Sequence, residues 1–270
     1  MIESILLDNI LKKQKNHLEF LLSIFYGFVQ GITEFLPISS SGHNIVLAKA
    51  LKYDPPTFSL DIITHLGSLI ALGYFFFKSS KDKFIDFPNK SLMILLICFS
   101  WIPIGVVGIL FKEFFENSAR HLNIIGPAFI LSGVFITLHG IKKFRMNPFI
   151  IVLLISFAQS FAAFPGISRS GVTIGFALLF GLGVRRAILC SFLMSVPLII
   201  LSSIFEVVSS MSSGIIIENW KVLFVSLVSS VFFSYLGLKF MLSFSRFTKF
   251  AWFGAYNLLI GLIILLSLVL

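Results

Sequence analysis

Charged side chains are scarce in this sequence. They make up 12% of the 270 residues, whereas apolar residues make up 57%, and the mean hydropathy is +1.00. This composition excludes an ordinary soluble globular domain. Several nearly uncharged stretches approach the length of about 20 residues that an α-helix needs to cross the hydrocarbon of a bilayer. We therefore predict an all-α polytopic membrane protein with a single membrane domain over residues 18–270.

Cysteine is nearly absent as well. The two cysteines, Cys98 and Cys190, fall in different apolar segments and have no metal-ligand spacing with their neighbours, so we interpret both as core residues. The sequence also lacks a Walker loop, an HExxH motif and a dinucleotide-binding fingerprint. Nothing in it therefore indicates nucleotide binding or a metalloprotease site.

Acidic residues are fewer than basic ones, at 12 against 21, which gives a net charge of +9. The basic residues are confined to short loops, so we attribute the charge to membrane topology and expect lipid, not nucleic acid, as its partner. If successive predicted spans cross the membrane in alternate directions, four clusters of basic residues fall on the same side of the membrane, which we predict to be the cytoplasmic side. Lys12, Lys13 and Lys15 fall on the opposite side. The clusters comprise Lys78, Lys81, Lys83, Lys90, Lys142, Lys143, Arg145, Arg185, Arg186, Arg246 and Lys249.

Eight apolar regions follow one another along the chain. Two of them, 18–52 and 149–183, are interrupted by proline, glycine and clustered serines. Because irregular backbone at membrane depth must be buried in protein or line a cavity, we predict two re-entrant helix-loop-helix hairpins there. Residues 1–17 have an apolar stripe and are predicted to form an amphipathic segment on the membrane surface. Six further segments are predicted transmembrane helices: 58–78, 90–111, 122–142, 187–209, 219–244 and 249–270.

The two interrupted regions are copies of each other. The stretch "QGITEFLPISSSG" at 30–42 aligns without a gap on "QSFAAFPGISRSG" at 159–171. We call the sequence separation between the two copies, from Gln30 to Gln159, the repeat offset. Besides the glutamines, the shared positions are Phe35 with Phe164, Ile38 with Ile167, Ser39 with Ser168, Ser41 with Ser170 and Gly42 with Gly171.

The number of predicted spans between the copies sets their relative orientation. Three spans separate them, and an odd number of crossings turns the second copy over. We therefore predict an inverted-topology repeat, with repeat one at 18–142 and repeat two at 149–270. Its two loops would enter from opposite faces and meet near the midplane of the membrane.

The differences between the copies carry the chemistry. The first copy has Glu34, Ser40 and His43, whereas the second has Arg169 where the first has Ser40. An arginine fork matches phosphate oxygens, and serine-rich helix starts favour anions, so the pooled loops suit a phosphate or diphosphate. Gln30 lies four residues before Glu34 and shares its helix face. The remaining candidate substrate-binding residues are Ser39, Ser41, Ser168, Ser170 and Thr173.

Structural roles compete with these functional ones. The serines can hydrogen-bond neighbouring helices, and Glu34 with Arg169 can form a buried structural ion pair. Asp61 and His65, four residues apart, are interpreted as a solvated helix end, with a supporting role in the site as the second interpretation.

Two motifs in the sequence resemble those of a known family. "QGITEFLPISSSGH" and "PGISRSGVT" resemble the two signature boxes of the bacitracin-resistance family of undecaprenyl-diphosphatases, and the resemblance extends from about residue 18 to the end of the chain. It implies hydrolysis of undecaprenyl diphosphate to undecaprenyl phosphate and inorganic phosphate, which recycles the carrier lipid of bacterial cell-wall synthesis. It also implies bacitracin resistance and a place in the bacterial cytoplasmic (inner) membrane.

The resemblance also implies residue roles. Glu34 matches the acid linked to a divalent metal, Mg²⁺ or Ca²⁺, and Gln30 takes a position where many members have a second carboxylate. Ser40 and His43 match the proposed nucleophile and its partner, and Arg169 matches the phosphate-binding arginine. With the basic-residue bias, the first hairpin is expected to open to the periplasm.

Three alternatives stay open at this stage. Ser40 can attack phosphorus itself, or His43 can activate a water molecule. An inverted repeat with broken helices is also typical of transporters, so a transporter or flippase for a prenyl phosphate or another anion is the rival function. Whether two copies form a homodimer is left open too.

Overall fold

The structure, a computed structural model, describes residues 2–50, 58–79, 90–118, 121–137, 144–211, 220–244 and 250–269, and no strand occurs in these ranges. At 2–17, 79, 90, 116 and 209–211 only the backbone is described. The helices are α1 (Ile2–Phe35), α2 (Ser40–Ala50), α3 (Phe58–Ser79), α4 (Lys90–Phe99), α5 (Trp101–Leu110), α6 (Lys112–Ser118), α7 (Leu122–Thr137), α8 (Pro148–Ala158), α9 (Arg169–Leu179), α10 (Val184–Met211), α11 (Trp220–Ser243) and α12 (Ala251–Leu266). A 3₁₀ turn, Gln159–Ala163, extends α8.

The helices support a polytopic membrane protein. Within the described ranges, five helical segments, one of them α4 and α5 together, are long and apolar enough to cross a membrane. The predicted spans 122–142 and 249–270 correspond to shorter helices, α7 and α12, of 16 residues each, and the first arm of the first hairpin is itself long enough to span. The count of six spans therefore stays a prediction. The five long segments are Leu18–Phe35, Ser59–Lys78, Ser91–Leu110, Val184–Val208 and Trp220–Ser243.

Helix α1 runs without a break from Ile2 to Phe35, so the predicted surface segment and the first hairpin arm share one helix. The surface location of residues 1–17 stays a prediction, because their side chains lie outside the described ones. Both predicted hairpin regions form helix-turn-helix units, because α1 turns into α2 after Phe35 and α8 with its 3₁₀ turn leads into α9. Their re-entrant course in the membrane stays a prediction.

The predicted span 90–111 contains a break at Ser100, between α4 and α5. Pro103 has no backbone N–H to donate to the carbonyl group of Phe99, which explains why the first helix stops there. The second hairpin contacts this break, because Gln159 donates a side-chain hydrogen bond to the carbonyl oxygen of the neighbouring residue, Ser100. Cys98, just before the break, is exposed on α4, so its interpretation as a core residue is wrong, whereas Cys190 is buried as predicted.

The boundaries of two helices in the second repeat match those of two helices in the first at the repeat offset. Helix α9 begins and ends at the positions that the repeat offset assigns to α2, and α12 does the same for α7. Helices α7 and α12 pack on each other through glycines: a Cβ at Gly261 would lie 2.6 Å from the Gly126 carbonyl oxygen, and one at Gly133 would lie 2.8 Å from that of Gly254. Residue numbers rise along one helix as they fall along the other. These equivalent helices are therefore antiparallel, in agreement with an inverted repeat.

The end of α1 is held by aromatic packing. The fully buried ring of Phe35 lies edge-on to Phe192 of α10, with centroids 5.4 Å apart, and Phe192 in turn lies edge-on to Phe75 of α3 at 6.1 Å. These rings belong to the largest apolar cluster in the described part of the chain. Because Phe35 is anchored, the side chain of the preceding residue, Glu34, has a fixed place at the turn.

Candidate active site

The turn of the first hairpin presents a helix start lined with serines. After α1 ends, Ser39 adopts a left-handed backbone conformation (φ 68°), and α2 begins at Ser40. The Ser39 hydroxyl accepts a hydrogen bond from the Gly42 N–H at 3.3 Å, as a helix-capping serine does. The Ser41 hydroxyl lies 3.5 Å from that of Ser39, and Ser41 is exposed. A helix start of this kind favours an anion.

The Glu34 carboxylate gathers the polar groups of both hairpins. Its Oε2 accepts hydrogen bonds from the Gln30 side-chain amide and from the Ser40 hydroxyl, each at 2.9 Å. Its Oε1 accepts one from the Arg169 guanidinium, also at 2.9 Å. The Glu34 and Arg169 side chains are 8% and 11% exposed, so this ion pair is largely shielded from solvent. Burial of the pair is tolerated because several hydrogen bonds accompany it.

Arg169 is held at a second point. While one terminal nitrogen bonds Glu34, the other donates to the Ser191 carbonyl oxygen at 3.1 Å. The Thr173 hydroxyl donates to the Arg169 carbonyl oxygen at 2.9 Å and lies 2.7 Å from the Ser191 hydroxyl. The predicted phosphate-binding arginine is therefore oriented by α10 as well as by its own helix.

The serines of the second hairpin are engaged in structural contacts. Ser168 caps α9 by accepting from the Gly171 N–H at 3.0 Å, and its hydroxyl lies 3.1 Å from that of Ser170. The Ser170 hydroxyl donates to the Leu36 carbonyl oxygen in the first turn at 2.8 Å. Both serines are nearly fully buried. Ser170 thus links one loop to the other, which is the structural role that the sequence left open for it.

His43 lies in the first turn of α2 together with Ser40, yet its ring bonds elsewhere. Nδ1 is 2.7 Å from the Ser39 carbonyl oxygen, and Nε2 is 2.7 Å from the hydroxyl of Tyr256 on α12. Hydrogen bonds therefore bring Gln30, Glu34, Ser40 and Arg169 together, whereas His43 faces Tyr256.

Four further residues complete the surroundings of the site, and the sequence singled out only one of them. Asn44 donates to the Gln30 side-chain oxygen at 3.1 Å, and Asn257 donates to the Pro37 carbonyl oxygen at 2.8 Å. His65 lies with its Nε2 3.9 Å from Glu34 Oε2, which favours the second interpretation of its sequence pattern, a supporting role in the site. Tyr256 and Asn257 lie in a stretch with no motif, so only the folded structure reveals them.

The predicted divalent metal site has one carboxylate. Among the described residues, no three or more histidine, cysteine, aspartate or glutamate side chains are grouped to hold a metal ion. Gln30 turns its amide nitrogen to Glu34 and its oxygen to Asn44. A site with the single ligand Glu34 fits an ion that takes most of its oxygen ligands from a phosphate substrate and water, as Mg²⁺ commonly does.

Comparison with known proteins identifies the family of the chain. The sequence pattern of the family described as bacitracin resistance protein BacA matches residues 23–263. The chain is 35% identical over 267 residues to an undecaprenyl-diphosphatase of Prochlorococcus marinus, a match that covers 93% of the chain and 100% of that protein. It is 31% identical to an undecaprenyl-diphosphatase of Halothermothrix orenii (90% and 96% covered) and 34% identical to undecaprenyl-diphosphatase 3 of Bacillus cereus (92% and 97% covered). The chain therefore belongs to the bacitracin resistance protein BacA family.

Proposed function

We propose that this protein hydrolyses undecaprenyl diphosphate to undecaprenyl phosphate and inorganic phosphate. The names of its relatives support the reaction and the substrate. The observation that carries the proposal is the ion pair between Glu34 and Arg169, which joins the two hairpins within hydrogen-bonding distance of the Ser40 hydroxyl. An acid, a hydroxyl and a guanidinium at one point are the groups that phosphate-ester and anhydride hydrolysis requires.

The diphosphate binds between the two helix starts. Its terminal phosphate takes the place of the Glu34 carboxylate on the Arg169 fork, which remains oriented through Ser191. The backbone N–H groups at the start of α2 and the exposed Ser41 hydroxyl complete the anion site from the first hairpin. The prenyl chain extends into the surrounding lipid, for which the apolar outer surface of the helices is suited.

Two routes lead from this complex to products. In the first, Ser40 Oγ attacks the terminal phosphorus, Glu34 takes the hydroxyl proton through the existing 2.9 Å hydrogen bond, and undecaprenyl phosphate leaves. Water then hydrolyses the phosphoserine. In the second, His43 takes a proton from a water molecule that attacks phosphorus directly. Rapid-quench experiments distinguish them, because only the first route gives a phosphoenzyme that disappears in Ser40→Ala.

A divalent ion is part of the proposal. Mg²⁺ or Ca²⁺ held by one oxygen of Glu34 and by the diphosphate would offset the negative charge of the substrate. Gln30 supports this carboxylate by donating to Oε2 and does not itself offer an oxygen to the ion.

The rival function is transport of a prenyl phosphate or another anion by an inverted repeat. Phosphate release from undecaprenyl diphosphate by the purified protein in detergent separates the two, since no transmembrane gradient exists there. We expect release that is lost in Glu34→Gln and Arg169→Lys. Absence of release from any prenyl diphosphate, together with gradient-driven uptake in proteoliposomes, would establish the transporter instead.

We further propose that the protein lies in the bacterial inner membrane with the site open to the periplasm, where it recycles the carrier lipid and confers bacitracin resistance. Thiol labelling in intact cells tests the orientation in a Cys98→Ser, Cys190→Ser background. An impermeant reagent should label Ser213→Cys and spare Ser80→Cys, and the reverse pattern would place the product in the cytoplasm. Raised bacitracin tolerance on expression tests the cellular role.

A further inference from the structure

Tyr256 is the partner of His43 from the other repeat. It lies on α12, and the residue that the repeat offset pairs with it, on α7, is Pro127. The tyrosine is thus one more polar group that only one of the two repeats carries. Its hydroxyl lies 2.7 Å from His43 Nε2, and no assigned role accounts for this contact.

The imidazole of His43 is held from three directions. Its ring plane is within 7° of parallel to that of Tyr256, with centroids 5.7 Å apart. The ring of Phe129 on α7 lies edge-on to it, with centroids 5.2 Å apart. The Ser39 carbonyl oxygen lies 2.7 Å from Nδ1. Contacts on this many sides leave the ring little rotational freedom.

These contacts define the tautomer of His43. A carbonyl oxygen can only accept, so Nδ1 carries the hydrogen that it donates to Ser39. In the neutral ring, Nε2 then holds the lone pair and accepts from the Tyr256 hydroxyl. A proton reaches Nε2 through this hydroxyl: the Tyr256 hydrogen passes to Nε2 while the tyrosine oxygen takes a hydrogen from the attacking water. Nε2–H then donates to the same oxygen. Tyr256 can therefore pair with both protonation states of His43 without moving.

The position of Tyr256 is itself fixed by the neighbouring residue. Asn257, which is fully buried, donates to the Pro37 carbonyl oxygen at 2.8 Å and to the Phe253 carbonyl oxygen at 2.7 Å. The bond to Pro37 docks α12 against the turn from which α2 starts, whereas the bond to Phe253 lies within α12. Tyr256 and His43 are therefore set opposite each other by the contact between the same two elements.

We infer that Tyr256 positions His43 and passes protons to it: the hydroxyl holds the imidazole, which Ser39 keeps in the Nδ1–H tautomer, and a proton reaches Nε2 through that hydroxyl. The inference rests on the second route of the proposed phosphatase function, in which His43 takes a proton from water, and it deepens that function by assigning the second repeat a part in the proton chemistry of the first. It predicts that removal of the hydroxyl lowers turnover and leaves substrate binding unchanged, because the proposed diphosphate contacts lie at Arg169, Ser41 and the backbone N–H groups at the start of α2.

Tyr256→Phe tests the inference, since phenylalanine keeps the ring contacts and removes only the hydroxyl. We expect kcat for undecaprenyl diphosphate in detergent to fall about tenfold, the loss of one well-formed hydrogen bond, with KM unchanged. Tyr74→Phe on α3 is the matched control, because Tyr74 packs on Tyr235 and takes no part in the site. Its kcat should equal that of the wild type.

A double-mutant cycle separates positioning from a merely structural effect. In a His43→Gln background, Tyr256→Phe should cause no further loss, because the group that it orients is gone. Equal losses in both backgrounds, or a wild-type kcat for Tyr256→Phe alone, would overturn the inference and leave the phosphatase intact. An inactive wild-type protein would instead refute the proposed function. Monodispersity and thermal stability of each variant exclude misfolding as the cause.

Discussion

The two hairpins make the same change of direction with different residues. Each must reverse between two helices and begin the second helix with a capping serine, Ser39 in one and Ser168 in the other. In the second hairpin Gly166 supplies the positive φ, at 98°, and Ser168 keeps an ordinary φ of −75°. The first hairpin has Pro37 at the position of Gly166, and proline cannot adopt a positive φ. There the left-handed conformation falls on Ser39 instead.

The two hairpins also differ in backbone strain and in the exposure of their serines. The second hairpin has an unstrained helix start, buried serines that bond protein groups, and one functional cation. The first hairpin carries its strain next to Ser40 and keeps an exposed Ser41. Strained backbone of this kind persists only where the surroundings hold it in place, and it is common at functional sites. This difference agrees with the proposed function, in which the reacting groups belong to the first hairpin and the second hairpin orients the substrate.

The largest expected effect follows from replacing the cation of the second hairpin. Arg169→Lys keeps the charge, but a lysine cannot donate to Glu34 and to Ser191 at once in the geometry of the fork. We expect kcat/KM for phosphate release to fall by about a hundredfold or more, the scale of losing a transition-state donor. The exposed Arg145 provides the control: Arg145→Lys should behave as wild type. Near-normal turnover of Arg169→Lys would show that the guanidinium is not needed to bind phosphate.

The turn glycine gives the next effect. In Gly166→Ala, a Cβ would lie 2.9 Å from that of Ala128 and 3.1 Å from the Ile125 carbonyl oxygen, at a φ that alanine disfavours. The free energy of unfolding should fall by about 1–3 kcal/mol, measured as reduced thermal stability in detergent. Gly73→Ala has open space around its Cβ and should not reduce stability. Equal stability of both variants would show that the second turn does not need its glycine.

Much of this site can be predicted from the sequence, and the reasons are specific. Glu34 and Arg169 are conspicuous because charged groups are costly in an apolar chain, and the repeat offset aligns the two loops that bring them together. The aligned loops also predict the hairpins. Tyr256 and Asn257 could not be found in this way, since their roles depend on how α12 docks on the first turn. Neither residue is matched by an identical one at the repeat offset.

Helix lengths show where sequence reasoning reaches its limit. Hydropathy predicts six spans, but it does not register the proline that divides α4 from α5 or the 16-residue length of α7 and α12. Nor does it distinguish a lipid-facing position from a buried one, because both are apolar, which is why the sequence misplaces Cys98 in the core. Periodicity is weak in a helix that is apolar on all sides.

A smaller effect is expected at the amide that supports Glu34. Gln30→Glu puts a second carboxylate where the amide now donates to Glu34 at 2.9 Å, and two unscreened carboxylates repel at that distance. We expect activity without divalent cations to drop about tenfold and to recover when Mg²⁺ is added, because an ion between the carboxylates removes the repulsion. A metal titration of the wild type is run in parallel. The same activity of the variant with and without Mg²⁺ would contradict this expectation.

The smallest effects test the two capping serines directly. Ser39→Gly removes a side chain from a positive φ, a relief of about 1–2 kcal/mol that exceeds the loss of its cap on the Gly42 N–H, and should raise the free energy of unfolding by about 0.5–1 kcal/mol. Ser168→Gly removes a cap at ordinary φ, with its 3.0 Å bond to Gly171, and should lower the free energy of unfolding by about a few tenths of a kcal/mol. Thermal melts of the two purified variants check the signs. A change of the same sign in both would mean that the hairpins share one kind of turn after all.

The ion pair between Glu34 and Arg169 also bears on how product leaves. The carboxylate is attached to the same protein as the guanidinium, so it competes for that guanidinium at a high effective concentration whatever the amount of free phosphate. When a phosphate ion dissociates from Arg169, the Glu34 carboxylate can bind the guanidinium again and so prevent the ion from rebinding. If phosphate binds at Arg169 as proposed, Glu34 acts as a tethered competitor for the guanidinium, and inorganic phosphate should be a weak product inhibitor of the enzyme.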